Sequence, residues 1–179
     1  MSNAVPVPHR REWVQDFQRE SEIVRMALGP EAVALHHIGS TAIADIFAKP
    51  IIDILVEATS LEKIDARSHA LQGAGYEAKG EYGISGRRYF RKSDDAGRRT
   101  HHLHVFVWGS DEAQRHLAFR DYLRTHSERA ADYSALKMRI VGEWRGTDDY
   151  IARKDGLVKA IEGEALVWMR HRARHDPSG

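Results

Sequence analysis

The chain has 179 residues, of which 42% are hydrophobic and 30% charged, with a formal net charge of +1. That size and balance suit one soluble domain, and so small a net charge excludes the strongly basic face expected of a bulk nucleic-acid binder. The absence of cysteine excludes a disulfide framework, a thiolate metal site and a Cys nucleophile; no apolar run is long enough to span a membrane, and the N-terminal residues carry no signal-peptide core, which together fit a cytoplasmic setting.

The segments 1–8 and 172–179 read as flexible ends around one domain over 9–171. From Arg11 to Leu28, apolar residues at Trp13, Val14, Phe17, Ile23, Val24, Ala27 and Leu28 follow a helical period, which Gly29-Pro30 closes. Ala32 to Ile38 then reads as a buried strand, halted by Gly39-Ser40. Ser40 or Thr41 is placed to cap a short helix to about Phe47. The free N–H groups of such a helix start, with Gly39 and the two hydroxyls, would form an anion site; an ordinary strand-to-helix turn has the same composition. Of the two histidines before it, His37 is the one expected nearer the cleft.

Lys49-Pro50 leads into Ile51-Ile52-Asp53-Ile54-Leu55-Val56, a strand-length apolar run with one carboxylate. A buried ionised Asp is costly without a partner or a metal. Lys49 could reach the anion held at Ser40; Asp53 could equally be satisfied by backbone donors, with Lys49 solvated. Leu61 to Leu71 is helical in period and stops at Gly73-Ala74-Gly75, predicting a crossover to a strand near Tyr76 and hence a mixed sheet. Tyr76 to Lys92 reads as a hairpin turned by Gly80, Gly83 and Gly86. Its cations at 87, 88, 91 and 92 divide between two faces, and Arg88 is the candidate phosphate clamp, unless the strand is a solvated edge.

Thr100 to Trp108 is the next strand, with His102 and His104 on one face about 6 to 7 Å apart. If it neighbours the Asp53 strand, Asp53, His102 and His104 form a two-His, one-carboxylate set that favours Zn, Mn, Fe or Ni over a bare Mg site. A histidine there could also act as a general base, or both could simply be bonded within the sheet. Ser110 caps a helix to about Thr125 that places Arg120 and Arg124 on one face, Arg120 being the more buried and the better anion ligand of the two. Ser127 starts another helix, closing near Trp144 to Gly146, and Thr147-Asp148-Asp149 caps a last one through Leu157, Ile161, Leu166 and Trp168.

The runs HIGSTAIADIFAKPIIDILV, HHLHVFVWGS, LAFRDYLRTH and YSALK, in that order and spacing, resemble the GrpB family, a branch of the polymerase-beta-type nucleotidyltransferase superfamily. The resemblance spans Trp13 to about Trp168 and implies an α/β (α+β) fold, a nucleotidyltransferase-like mixed sheet flanked by helices with a helical C-terminal half. It implies a transferase-like protein of nucleotidyl or phosphoryl transfer that takes a nucleotide or other phosphorylated small molecule and a divalent metal, Mg, Mn or Zn. Gly39, Ser40 and Thr41 would cradle phosphate, Asp53 with His102 and His104 would be catalytic and hold metal, and Lys49, Arg88, Arg120 and Lys137 would neutralise phosphate charge. Lys154 matches a further family position. Nucleotidyltransferases usually carry two carboxylates two residues apart on the strand; here Ile51 stands where the first would be, and Glu57, about 13 Å along from Asp53, is too far to replace it. That departure keeps open a catalytically silent binding module, and the His-x-His strand keeps open a metal-dependent hydrolase built on His102, His104 and Asp53, which needs an open, water-bearing coordination position. The resemblance also links such domains to dephospho-coenzyme A kinase.

Overall fold

The computed structural model of the chain describes residues 5–143 and 147–175. A five-stranded mixed sheet in the order β1-β2-β5-β4-β3 forms the first half: β1 Ala32–Ile38, β2 Ile52–Ala58, β3 Tyr76–Ala78, β4 Arg88–Ser93 and β5 Arg99–Val107. β2 and β5 are parallel and the other neighbours antiparallel. β2 is buried almost throughout because it is an inner strand covered on both sides; its six residues other than Asp53 are all buried, Glu57 among them.

The helix α1 (Glu12–Leu28) and the short helices α2 (Leu61–Ala66) and α3 (Ser68–Gly73) cover one face of the sheet. Their core joins Trp13, Val24, Leu28, Ile64 and Leu71 to Ile52, Ile54, Val56, Phe90, Leu103 and Val105. The crossover expected as one helix is therefore two, parted at Arg67, and its chain passes β5 and β4 to reach the far edge at β3. On the other face lie α4 (Asp111–Thr125), α5 (Ser127–Gly142) and α6 (Thr147–His175). Ser110 caps α4 by accepting from Ala113 N, as its position before two acidic residues predicts. Ile43 and Ile46 pack into the core of these helices with Ala118, Leu123, Tyr133, Ile161 and Ala165.

Three boundaries differ from the sequence reading. No α-helix follows Gly39: a single 3-10 turn at Ser40–Ala42 is all that forms, because Asp45 takes φ 60° and Phe47 N donates to Ser134 Oγ at 2.9 Å rather than along a helix. Residues 5–8, expected to be flexible, include a bridge between Val7 and Ala48. At the other end α6 runs to His175, into the segment expected as a tail. Trp144 and Gly146, expected to close α5, and the capping side chains of Thr147, Asp148 and Asp149 lie outside what is described. No helix among the described residues is long and apolar enough to cross a membrane.

Candidate functional site

Strand periodicity builds the site. Asp53 is aligned with His102 across the parallel β2–β5 pair, and His104 follows two residues on, so all three point to the face on which α4 packs. His102 Nδ1 donates to Asp53 Oδ1 at 3.0 Å, and His104 Nε2 approaches the same oxygen at 3.4 Å. Burial works to raise the Asp53 pKa, but the two imidazoles outweigh it and hold the carboxyl well below the usual carboxylate range. Burial likewise lowers the pKa of His104, against the pull of Asp53. One ligand atom from each of Asp53, His102 and His104 lies within 4.8 Å of the others, and among the described residues this is the one such set of three.

Nitrogen and carboxylate donors at that spacing fit a single divalent ion of the Zn or Mn type better than an all-oxygen Mg site. Within the set, His104 would be the weakest ligand. Arg87 Nη1 lies 3.4 Å from His104 Nδ1 and donates to it, so the ring proton sits on Nε2; metal at Nε2 would move that proton against Arg87.

Gly39 makes the close approach possible. Its φ of 70° and ψ of −172° belong to a region that is essentially glycine's own, and a Cβ there would stand 2.4 Å from Asp53 Oδ2. Beside Asp53 a cleft of about 200 Å³ is lined by Ser40, Thr41, Lys49, His102, Lys137 and Lys154, with Ile51 in its wall and Pro6 at its edge. Lys137 is buried, donates to Ser40 Oγ at 2.9 Å and to Phe47 O, and lies 4.4 Å from the centroid of the Tyr133 ring. Burial lowers its pKa to about 8. Burial and the charge of Lys154 lower that of Lys49 as well. With no helix behind the turn, an anion entering this cleft would meet the cations and the Ser40 hydroxyl rather than a helix dipole. A second space of about 210 Å³ on the other side of Asp53 is lined by His104, His116, Phe119 and Tyr133 and shares Lys154.

The expected residues divide into those gathered at the cleft and those that are not. Gly39, Ser40, Thr41, Lys49, Asp53, His102, His104 and Lys137 converge, although Thr41 is buried with its hydroxyl hydrogen-bonded to His37 at 2.9 Å. Arg88 is on the opposite face of β4, in a two-pronged ion pair with Asp65 of α2 at 2.6 and 2.8 Å, so it cannot clamp a ligand here. The pair of hairpin cations on the site face is Arg87 and Arg91. Arg120 donates to Asp121 Oδ1 at 2.7 Å and His37 O at 3.2 Å, a tie between α4 and the end of β1 rather than an anion ligand. His37 faces α1, stacked on Phe17 at 4.9 Å, and burial lowers its pKa to about 4; the histidine of β1 on the site face is His36, bonded to Glu57 at 2.9 Å. Glu57 also accepts from Gly109 N at 3.0 Å, which gives it a structural place away from Asp53.

Sequence reading missed His116, Tyr133 and Arg87. Tyr133 stands one helical turn before Lys137 within the run YSALK, and its ring lines the second space beside Asp53. Burial lowers the His116 pKa to about 4, and its Nδ1–H donates to Glu112 O at 2.8 Å.

A family model described as GrpB protein matches residues 5–164. The chain is 41% identical over 165 residues to the UPF0157 protein YqkA of Bacillus subtilis, covering 92% of this chain and 48% of that protein, so it spans about half that relative's length. It is 32% identical to the glutamate-rich protein GrpB of Alkalihalophilus pseudofirmus, covering 88% of this chain and 93% of the relative. A dephospho-CoA kinase of Mycolicibacterium paratuberculosis is 31% identical over a match that covers 90% of this chain and 46% of the kinase. Among solved structures, GrpB from Enterococcus faecalis superposes with a TM-score of 0.86 at 38% identity, covering 92% of this chain and 99% of that one. The Cid1 poly(U) polymerase bound to MgGTP gives a TM-score of 0.51 at 11% identity over 73% of this chain and 42% of the polymerase, a likeness of fold.

Proposed function

The chain belongs to the GrpB family, and on that footing we propose that it binds a nucleotide or other phosphorylated metabolite together with one divalent ion at Asp53 and transfers a nucleotidyl or phosphoryl group. The observation that carries the reading is the meeting of a three-ligand set, Asp53, His102 and His104, with a cleft lined by Lys49, Lys137 and Lys154. Phosphoryl transfer asks a protein chiefly for positioning and charge stabilisation. The three ammonium groups offset phosphate charge, and Ser40, held by Lys137, orients it. A divalent ion in the cluster would polarise a phosphoryl oxygen. The likeness to a GTP-bound polymerase and to dephospho-CoA kinases directs the choice of ligands to nucleoside triphosphates and coenzyme A precursors.

A silent binding module is the second reading, favoured by Ile51, whose apolar side chain lines the cleft where a first strand carboxylate would stand. Thermal unfolding with those ligands, with and without Mn or Zn, separates the two. A ligand at a hundred times its Kd raises the melting temperature of a chain this size by about 5 to 10 °C. The transfer reading expects a shift that requires metal and disappears in Asp53→Asn. A shift independent of metal and kept by Asp53→Asn leaves the binding module, and no shift with any phosphorylated ligand ends both.

A further inference from the structure

Next to the three-ligand set, β4 and the loop before it carry side chains that phosphate binding does not use. Tyr82 has φ 46°, a left-handed conformation uncommon for an aromatic residue, and the residue is 55% exposed. Its ring stacks on Tyr89 at 5.1 Å and 22°, and Tyr89 in turn lies 5.1 Å from the His104 ring and 5.6 Å from the His102 ring. The Arg91 guanidinium is 4.3 Å from the Tyr82 centroid and 5.3 Å from that of Tyr89. Those distances put it in the notch between the rings, on the Tyr89 side, and leave the outer face of Tyr82 open.

The loop is fastened to the site. Buried Arg87 donates to Tyr82 O at 2.6 Å and Glu81 O at 3.1 Å while its third nitrogen touches His104, and Gly86 N donates to Glu81 Oε1 at 2.7 Å. An unusual backbone conformation is thus held by a buried cation, with an open aromatic face as its result.

We propose that Tyr82, backed by Tyr89 and Arg91, is a stacking subsite for a nucleobase, and that the substrate is a nucleoside phosphate rather than a phosphorylated metabolite lacking an aromatic ring. The inference rests on the phosphate reading of the Asp53 cleft and narrows its substrate class. Tyr89 stands two strands from Asp53, roughly 10 Å across the sheet, on the side away from β1 and its lysine-lined turn. A base on Tyr82 and phosphates at Asp53 would therefore lie on the same face of the sheet, with Tyr89 and His104 between them and Arg87 and Arg91 adding positive charge for an anionic ligand. Aromatic rings accept any base by stacking, which needs no pattern of hydrogen bonds.

Titration calorimetry on the full chain with Mn, using ATP, UTP and inorganic tripolyphosphate as probes, tests this. Wild type should bind ATP about 5- to 100-fold more tightly than tripolyphosphate. Tyr82→Ala should erase that preference while leaving tripolyphosphate affinity unchanged, and Tyr82→Phe should keep it. Equal affinity of wild type for ATP and tripolyphosphate, or a preference that survives in Tyr82→Ala, overturns the stacking subsite alone. Failure of wild type to bind any of the three removes the phosphate reading, and this inference with it.

Discussion

Lys137 is a cation whose charge the fold itself weakens. Buried against Tyr133 and Ser40, with Lys154 also near, it has a folded-state pKa of about 8 against an ordinary 10.5. Between those values the unfolded chain binds the extra proton, so this residue's contribution to stability rises with pH from about 8 upward, and below 8 the full cost of the buried charge is present. The proposed anion binding would run the other way, because it uses the charged form. Tripolyphosphate affinity should fall as pH climbs through about 8, and Lys137→Met should bind more weakly and lose that inflection; calorimetry from pH 6.5 to 9.5 reads both. At this scale the sequence was legible wherever a short-range period decided the answer. His102 and His104 share a face because they are two apart in a strand, and the lone Asp53 in an apolar run announced a partner. Arg88 was misplaced because alternation says which hairpin residues go together, not which face the cleft is on. Lys154 and His116 reach the site from helices whose docking no local pattern records.

Helix α4 does structural work at the end of β1. Arg120 donates to His37 O and Arg124 to Ala42 O at 2.8 Å, so two guanidiniums satisfy carbonyls of the segment that turns at Gly39. Arg120→Ala should cost about 1 to 3 kcal/mol, the penalty for a buried carbonyl losing a charged donor, as read from urea unfolding. Well below the melting point its tripolyphosphate affinity should equal that of wild type; a large loss of affinity in a folded protein would return Arg120 to the anion site. Elements with strong periods or caps, such as α1, α4 and β5, could be read directly. The turn after Gly39 could not: Ser, Thr and Ala are compatible with a helix, but Ile43 and Ile46 are drawn into the core of α4 to α6, and that distant packing overrides the local preference.

The whole molecule joins a sheet with its α1 to α3 covering to a three-helix half through the loop between β1 and β2, which packs into the helical core while its neighbouring residues line the cleft. Ile161 on α6 is fully buried there, one helix carrying both it and Lys154. Ile161→Ala should therefore destabilise the protein by about 2 to 5 kcal/mol, with an unchanged denaturant slope if both halves unfold together. A mixed sheet was foreseeable from the long crossover, but the strand order was not, because pairing between segments far apart in sequence leaves no local trace.

That strand order also governs how the chain is made. Asp53 lies 49 and 51 residues before its two histidine partners, and β2, the most buried strand, has β5 as one of its two neighbours. During synthesis β2 waits with one edge unpaired until the hairpin and β5 have emerged from the ribosome. The site is thus completed only by long-range closure, a slow step, and the nascent protein is most exposed to aggregation in the interval between its second strand and its fifth.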